Sequence, residues 1–437
     1  MKRSTFKTAA VAAGTVALVA ALAACAPAAQ EPAAAPSGGE SDAPAAATPA
    51  ETPEPDSFGV VVAESWKDIY PNEYQTYMAN ESNSPQGKQD YLTEYPELVT
   101  MYAGYGFAKG YDEAAGHPYS LQSVAETPRV NENTLANCIT CKTPQYTAMV
   151  NSEGDSAYQK PFAEVLMQMT EPISCYNCHE NDPTKTTVTQ KFFVNSMGSD
   201  VDKVSTDSQV CGQCHNEYYF APETKATTNP YTGLEGMTAE AILAYYDEMG
   251  FKDWEHTETG APMLKAQHPE FETIYGGAQS SMAKQGYSCS DCHMAPAEGA
   301  NGEYTSHNWV SPLENKQLIE NDCSKCHDDL EKKVKDIQAS EEERVTAISE
   351  KIEDMTNKIA AKYADEIAAM KAANEAKTDI PAASEELAKL QKLQRNAQFY
   401  WDFVMVENSE GAHNSKLTNE TLDKAEAAAD EALAMLA

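Results

Sequence analysis

Ten of the eleven cysteines in this 437-residue chain fall in five Cys-x-x-Cys pairs. They read Cys138-Ile-Thr-Cys141-Lys142, Cys175-Tyr-Asn-Cys178-His179, Cys211-Gly-Gln-Cys214-His215, Cys289-Ser-Asp-Cys292-His293 and Cys323-Ser-Lys-Cys326-His327. Four continue with histidine, the pattern of covalent c-type haem attachment. Two thiols form thioethers to the porphyrin vinyl groups, and the adjacent imidazole reaches the iron from one face. Zinc ribbons share the Cys-x-x-Cys spacing but do not need histidine after every second cysteine. Disulfide-rich exported folds do not repeat one spacing over so long a chain. The pairs therefore point to five covalently attached haem c groups.

The first pair ends in Lys142 where the others end in histidine. An amine ligates iron only when neutral, so the site must suppress protonation of a group whose usual pKa is about 10.4. A pure electron carrier gains little from such an arrangement, which makes Lys142 the sharpest pointer to chemistry in the chain.

From about Tyr111 to its C-terminal end the chain resembles the pentahaem cytochrome c nitrite reductases, which reduce nitrite to ammonium. One Cys-x-x-Cys-Lys motif followed by four Cys-x-x-Cys-His motifs is that family's order. Three further segments match: Tyr111-Asp-Glu-Ala-Ala-Gly-His117, Cys211-Gly-Gln-Cys-His-Asn-Glu-Tyr-Tyr-Phe220 and Pro262-Met-Leu-Lys-Ala-Gln-His-Pro-Glu270. The resemblance implies a catalytic lysine-ligated haem, open on its distal side and fed by four six-coordinate haems. It implies that Arg129, Tyr218 and His268 surround the bound anion. Arg129 lies 142 − 129 = 13 residues before Lys142, closer than in better-known members of the family. The residue types suit the chemistry: guanidinium matches nitrite oxygens, and His and Tyr can supply protons as oxygen leaves. The resemblance also implies a calcium ion held by the Glu217 side chain, the Tyr218 carbonyl, the Lys265 carbonyl and the Gln267 side chain, an oxygen set suited to a hard cation.

Four of the nine histidines sit in attachment motifs, leaving His117, His256, His268, His307 and His413. By position in the resemblance, His117 serves haem 3, His307 haem 2 and His413 haem 4. Family members usually place the distal ligand of haem 5 seven residues before the fourth motif; here 289 − 7 = 282 is Met282. Met282 is favoured over His256, since a thioether is an established haem ligand that raises the potential. Simple counting of histidines would instead use His256.

Stepping from the motifs to the elements that carry them, strand signals are sparse. Short helices and loops are expected over residues 58–330, with the haems serving as core. Over 331–437 apolar residues recur at three- and four-residue steps. One long helix is expected from Ile337 through Met370. A second runs past Leu387 and Val404, and a third starts at Thr418 as N-cap. The fold class is thus mainly α, a multihaem cytochrome c fold with long C-terminal helices. The resemblance implies that these helices also form a homodimer contact.

Residues 1–24 read as a signal peptide: Lys2, Arg3 and Lys7 precede an apolar run. Leu22-Ala23-Ala24-Cys25 resembles a bacterial lipobox, so Cys25 is expected to be lipidated. Residues 25–57 follow as an Ala- and Pro-rich tether without Lys or Arg. The expected location is extracytoplasmic, held to the cell membrane by the lipid alone. A membrane-bound multihaem quinol dehydrogenase is the expected electron donor. The formal charge, 32 − 67 = −35, argues against nucleic acid as a partner. Two alternatives stay open: a pentahaem electron-transfer cytochrome without catalysis, and a related reductase acting mainly on sulfite or hydroxylamine.

Overall fold

Apolar stripes fold the last hundred or so residues into helices, and those helices build the largest core. The structure is a computed structural model describing residues 52–300 and 302–437. The signal segment, Cys25 and the tether up to residue 51 lie outside the described residues. On the Leu330–Lys362 helix, Val345, Ile348, Ile352, Met355 and Ile359 are buried on one face. They pack against Leu387, Leu390, Ala397 and Trp401 of the Glu385–Met405 helix and Leu422, Ala425, Ala429 and Ala432 of the Ser415–Leu436 helix. Trp401 Nε1 donates to the Val345 carbonyl at 2.8 Å, which satisfies the indole inside the core.

Two expectations about these helices need correction. The stripe from Ile337 to Met370 is not one helix: Tyr363 leaves the helical range (φ −111°, ψ 21°), and a separate Ala364–Glu375 helix follows. The break turns Ile367 back onto the same core, where Tyr363 also packs. The last helix begins earlier than Thr418. Asn414 is its cap, its side chain accepting from Leu417 N at 3.3 Å, and Thr418 is buried inside the first turn. An amide two residues beyond Ala412 can reach the free N–H groups; the better-known capping type, threonine, is here used for packing.

Before residue 330 the elements are short. Three two-stranded antiparallel hairpins are the only sheets among the described residues: Tyr219–Phe220 with Thr227–Thr228, Trp254–Glu255 with Pro262–Met263, and Pro296–Gly299 with Gly302–Thr305. A second core gathers Phe193, Met237, Ile242, Tyr246, Leu264 and Phe271 and includes Phe399 and Phe403 from the Glu385–Met405 helix. A third surrounds the first Cys-x-x-Cys pair with Ile139, Tyr146, Met149 and Phe162. The first core likewise includes Leu98, Met101, Tyr102, Trp254 and Met263. The long helices therefore share two cores with the haem-motif region, and the described residues form one compact unit. The division at 330/331 marks a change of secondary structure and not a boundary between cores. At the other end Asp56 is already docked: its carboxylate accepts from Phe58 N, Val60 N and Gln145 Nε2.

Candidate active site

Each Cys-x-x-Cys pair lies on a tight turn that brings its two sulfurs and the following residue to one side. Cys175–His179 and Cys289–His293 are single helical turns. The second is fixed by a capping box: Ser288 Oγ accepts from Asp291 N at 3.3 Å, and Asp291 Oδ2 accepts from Ser288 N at 2.7 Å. The Thr206–Gly212 helix runs into the third pair. There Gly212 is needed for close approach, because a Cβ would stand 2.2 Å from the Phe271 ring. That contact seats the third motif against the Glu270–Tyr275 helix.

The residues present fit five haem groups. All ten cysteines of the pairs are free thiols. Three motif imidazoles face a second imidazole across a gap of one iron. Ring centroids stand 6.2 Å apart for His179 and His307, 6.1 Å for His293 and His413, and 6.3 Å for His215 and His117. An iron ~2 Å from nitrogen on both sides gives centroids ~6 Å apart. His268 is a second ring at 6.2 Å from His215. A cavity of about 400 Å³ opens beside Cys292 and His293. The thiols of Cys141 and Cys214 lie side by side, as do those of Cys211 and Cys289. Cys178 is within electrostatic reach of Cys211 and Cys214, and Cys323 within reach of Cys292. The motifs thus run in space from first to third to fourth to fifth, with the second beside the third.

Met282 and His256 separate clearly. His256 is the one fully buried histidine, and both ring nitrogens are engaged. Nε2 bonds to the Thr100 carbonyl at 2.8 Å; Nδ1 accepts from Glu258 N at 3.2 Å and Thr259 N at 3.3 Å. It ties a turn to the first core and has no lone pair to spare. Met282 is 37% exposed on the Ser281–Lys284 turn. Tyr287, next along that segment, lies within electrostatic reach of Lys325 and so beside the fifth motif.

Around the first motif the chain gathers residues from six segments. Arg129 is held from upstream: Nη1 donates to the Gly110 carbonyl at 2.9 Å, and Cζ lies 4.3 Å above the Phe107 ring. Arg129 lies within electrostatic reach of Tyr218, and both lie within reach of Cys138. Burial pushes the Tyr218 phenol well above its usual range, so it keeps its proton. Burial also holds the His268 imidazole down to about 4, and its Nδ1 is buried without a hydrogen-bond partner. His268 lies within electrostatic reach of Lys142. The Lys142 side chain itself forms no ion pair among the described residues, and its backbone carbonyl accepts from Ser120 Oγ at 2.7 Å.

Three of the residues expected to hold calcium, Glu217, Lys265 and Gln267, are linked by hydrogen bonds. Glu217 is fully buried, and burial pushes its carboxyl well up. Its Oε1 accepts from Tyr246 Oη at 3.0 Å and its Oε2 from Gln267 N at 2.6 Å. Gln267 Nε2 donates to the Lys265 carbonyl at 3.1 Å. The mixture of carboxylate, amide and carbonyl oxygens fits a hard cation. No cluster of three His, Cys, Asp or Glu side chains is poised for a metal among the described residues. A site built largely from carbonyl and amide oxygens does not need one.

Sequence reasoning missed the groups that hold this segment. Asp402, fully buried on the Glu385–Met405 helix, accepts from Lys265 Nζ at 2.9 Å, Ala266 N at 2.9 Å and Tyr102 Oη at 2.5 Å. Burial pushes Lys265 down and Asp402 up, towards a neutral pair. The three donors on Asp402, and the faces of Phe107, Tyr111 and Tyr102 at 5.1–5.6 Å from Lys265 Nζ, hold the ionised form. The signal was visible: an aspartate inside the aromatic run Phe399-Tyr-Trp-Asp402-Phe-Val404. Glu407, whose Oε1 lies 2.6 Å from His413 Nδ1, was also missed.

The family described as Cytochrome c552 matches residues 63–437. A cytochrome c-552 of Parabacteroides distasonis is 33% identical over 382 residues, covering 82% of this chain and 73% of the relative. One from Desulfotalea psychrophila is 31% identical over 380 residues, covering 81% and 71%. Among solved structures, a cytochrome c nitrite reductase catalytic subunit of Desulfovibrio desulfuricans, a protein with two calcium sites, superposes with a TM-score of 0.75. It is 24% identical and covers 87% of each chain, which carries the fold.

Proposed function

We propose that this chain, which belongs to the cytochrome c552 family, reduces nitrite to ammonium at a haem attached through Cys138 and Cys141 and ligated by Lys142. The observation that carries the reading is the gathering of half-buried Arg129, Tyr218 and His268 at the one lysine-terminated motif. When bound, that haem supplies an iron that holds nitrogen and accepts electrons from its neighbours. The chain's own residues do the rest. Arg129, braced by Gly110 and Phe107, offers a fixed positive fork to the anion's oxygens. Tyr218 keeps its proton in the buried site and donates a hydrogen bond to the departing oxygen. His268, whose Nδ1 has no protein partner, is free to hydrogen-bond the anion and pass a proton to it.

Calcium, bound by Glu217 and Gln267 side chains and the Tyr218 and Lys265 carbonyls, would neutralise the buried Glu217 and fix Tyr218 and the Gln267-His268 segment. His117, His307 and His413 complete the third, second and fourth haems, and Met282 the fifth. The 6.1–6.3 Å ring pairs support the first three. The occupied nitrogens of His256 support Met282. Electrons would enter near the fifth motif and pass through the fourth and third to the first. Cys25 lipidation would place this entrance near a membrane-bound quinol dehydrogenase, and the C-terminal helices would pair two copies. No helix among the described residues is long and apolar enough to cross a membrane.

The test is the Lys142→His variant. It keeps five covalent haems, while nitrite turnover falls by roughly 10- to 100-fold and the potential of one haem shifts. Unchanged turnover and potentials would remove the role of lysine. A wild-type ferric spectrum with no high-spin component, unmoved by nitrite or cyanide, would make the protein a carrier.

A further inference from the structure

The Nδ1 atoms of the imidazoles assigned to the irons do not have equal partners. His179 bonds to the Lys185 carbonyl at 2.7 Å, His293 to the Val310 carbonyl at 3.0 Å and His307 to the Thr305 carbonyl at 2.9 Å. These acceptors are neutral. His413 Nδ1 instead meets a carboxylate, Glu407 Oε1, at 2.6 Å. Glu407 is 3% exposed, so water does not screen this contact. The geometry is locked by the turn after the Glu385–Met405 helix. Glu407 Oε2 accepts from Ser409 Oγ at 2.5 Å, and the same Oγ accepts from His413 N at 2.9 Å. The next nearest case is His215, whose Nδ1 stands 3.8 Å from Glu270 Oε2, beyond hydrogen-bond distance.

We propose that Glu407 is a positioning residue for the fourth haem, fixing the tautomer of His413 and lowering the reduction potential of that one iron. A carboxylate on the outer N–H makes the inner nitrogen a stronger donor and stabilises the ferric state over the ferrous. The fourth motif touches the third through Cys211 and Cys289 and reaches the fifth through Cys292 and Cys323. Glu407 thus places a low-potential station between two neighbours.

The inference rests on His413 being the distal ligand, and two variants of the holoprotein separate the two statements. Spectroelectrochemical titration of Glu407→Gln, with five haems verified by mass, moves one of five reduction waves to higher potential and leaves four in place. Five unmoved waves, or all five moved equally, overturn the tuning role. If Glu407→Gln does not assemble, Glu407→Asp carries the test: a smaller rise of the same single wave supports the role and no rise overturns it. His413→Ala tests the ligand itself and converts one low-spin ferric haem to high spin. Unchanged spin states there would overturn the ligand assignment, whatever Glu407 does.

Discussion

A histidine with both nitrogens bonded to backbone cannot also bind iron, and that simple fact decides more than any count of histidines. His256 is such a residue, while Met282 is exposed on the segment whose Tyr287 lies within electrostatic reach of Lys325 in the fifth motif. Met282→Ala should therefore remove one haem's worth of sulfur-to-iron charge-transfer absorbance at the red edge of the oxidised spectrum. It should also lower one reduction potential. His256→Asn should leave that band and all five potentials in place and cost roughly 1–3 kcal/mol of stability, read by denaturant unfolding. A band that survives in Met282→Ala and vanishes in His256→Asn would reverse the assignment. At this scale the attachment motifs were legible, because covalent chemistry fixes the spacing of their cysteines. Glu407 was not, since it acts through a partner and leaves no motif, and Asp402 showed only as an acid inside an aromatic run whose partner the sequence does not name. Lys265 and Asp402 are 137 residues apart in the chain, and only folding makes them a pair.

Amphipathic periodicity made the C-terminal helices readable, and packing then decided where they start and stop. Thr418 has the chemistry of a cap but spends it in the core, and Asn414 caps instead. Tyr363 has no breaker chemistry, yet the helix ends there so that Ile367 can return to the core. Within the Leu330–Lys362 helix, Glu341 is an acid on the buried side. Burial, then the carboxylates of Glu342, Glu410 and Glu407, push it from 4.5 up to about 8. The folded chain keeps that proton over a range in which the unfolded chain loses it. Stability therefore falls as pH rises from about 4.5 to about 8 and levels off above. Glu341→Gln removes this slope. Unfolding in denaturant should show a gain of roughly 1–4 kcal/mol at pH 8 and little at pH 5. An equal effect at both pH values would mean that Glu341 is ionised in the folded protein.

As a whole molecule the chain is an anion that must attract an anion. Its formal charge is −35, and removal of a signal segment holding Lys2, Arg3 and Lys7 would make it −35 − 3 = −38. Arg129, with the iron and calcium proposed beside it, would provide a local field of the opposite sign. The long-range field is screened beyond roughly 10 Å at 0.1 M salt. Turnover at nitrite well below saturation should thus rise, by up to about threefold, from low to physiological ionic strength. A flat or falling dependence would mean that the local site alone governs capture. The order of motifs in space was not legible from their order in the chain. The thiols of Cys141 and Cys214 lie side by side, and the second motif stands aside from the line joining first, third, fourth and fifth. That line has meaning only if the lysine-terminated motif is where electrons are consumed. The direct measurement is the stoichiometry of nitrite reduction by the holoprotein with reduced viologen. The account predicts one ammonium formed and six viologen radicals oxidised for each nitrite. Nitrite left unreduced while sulfite or hydroxylamine turns over, or nitrite consumed without ammonium, would contradict it.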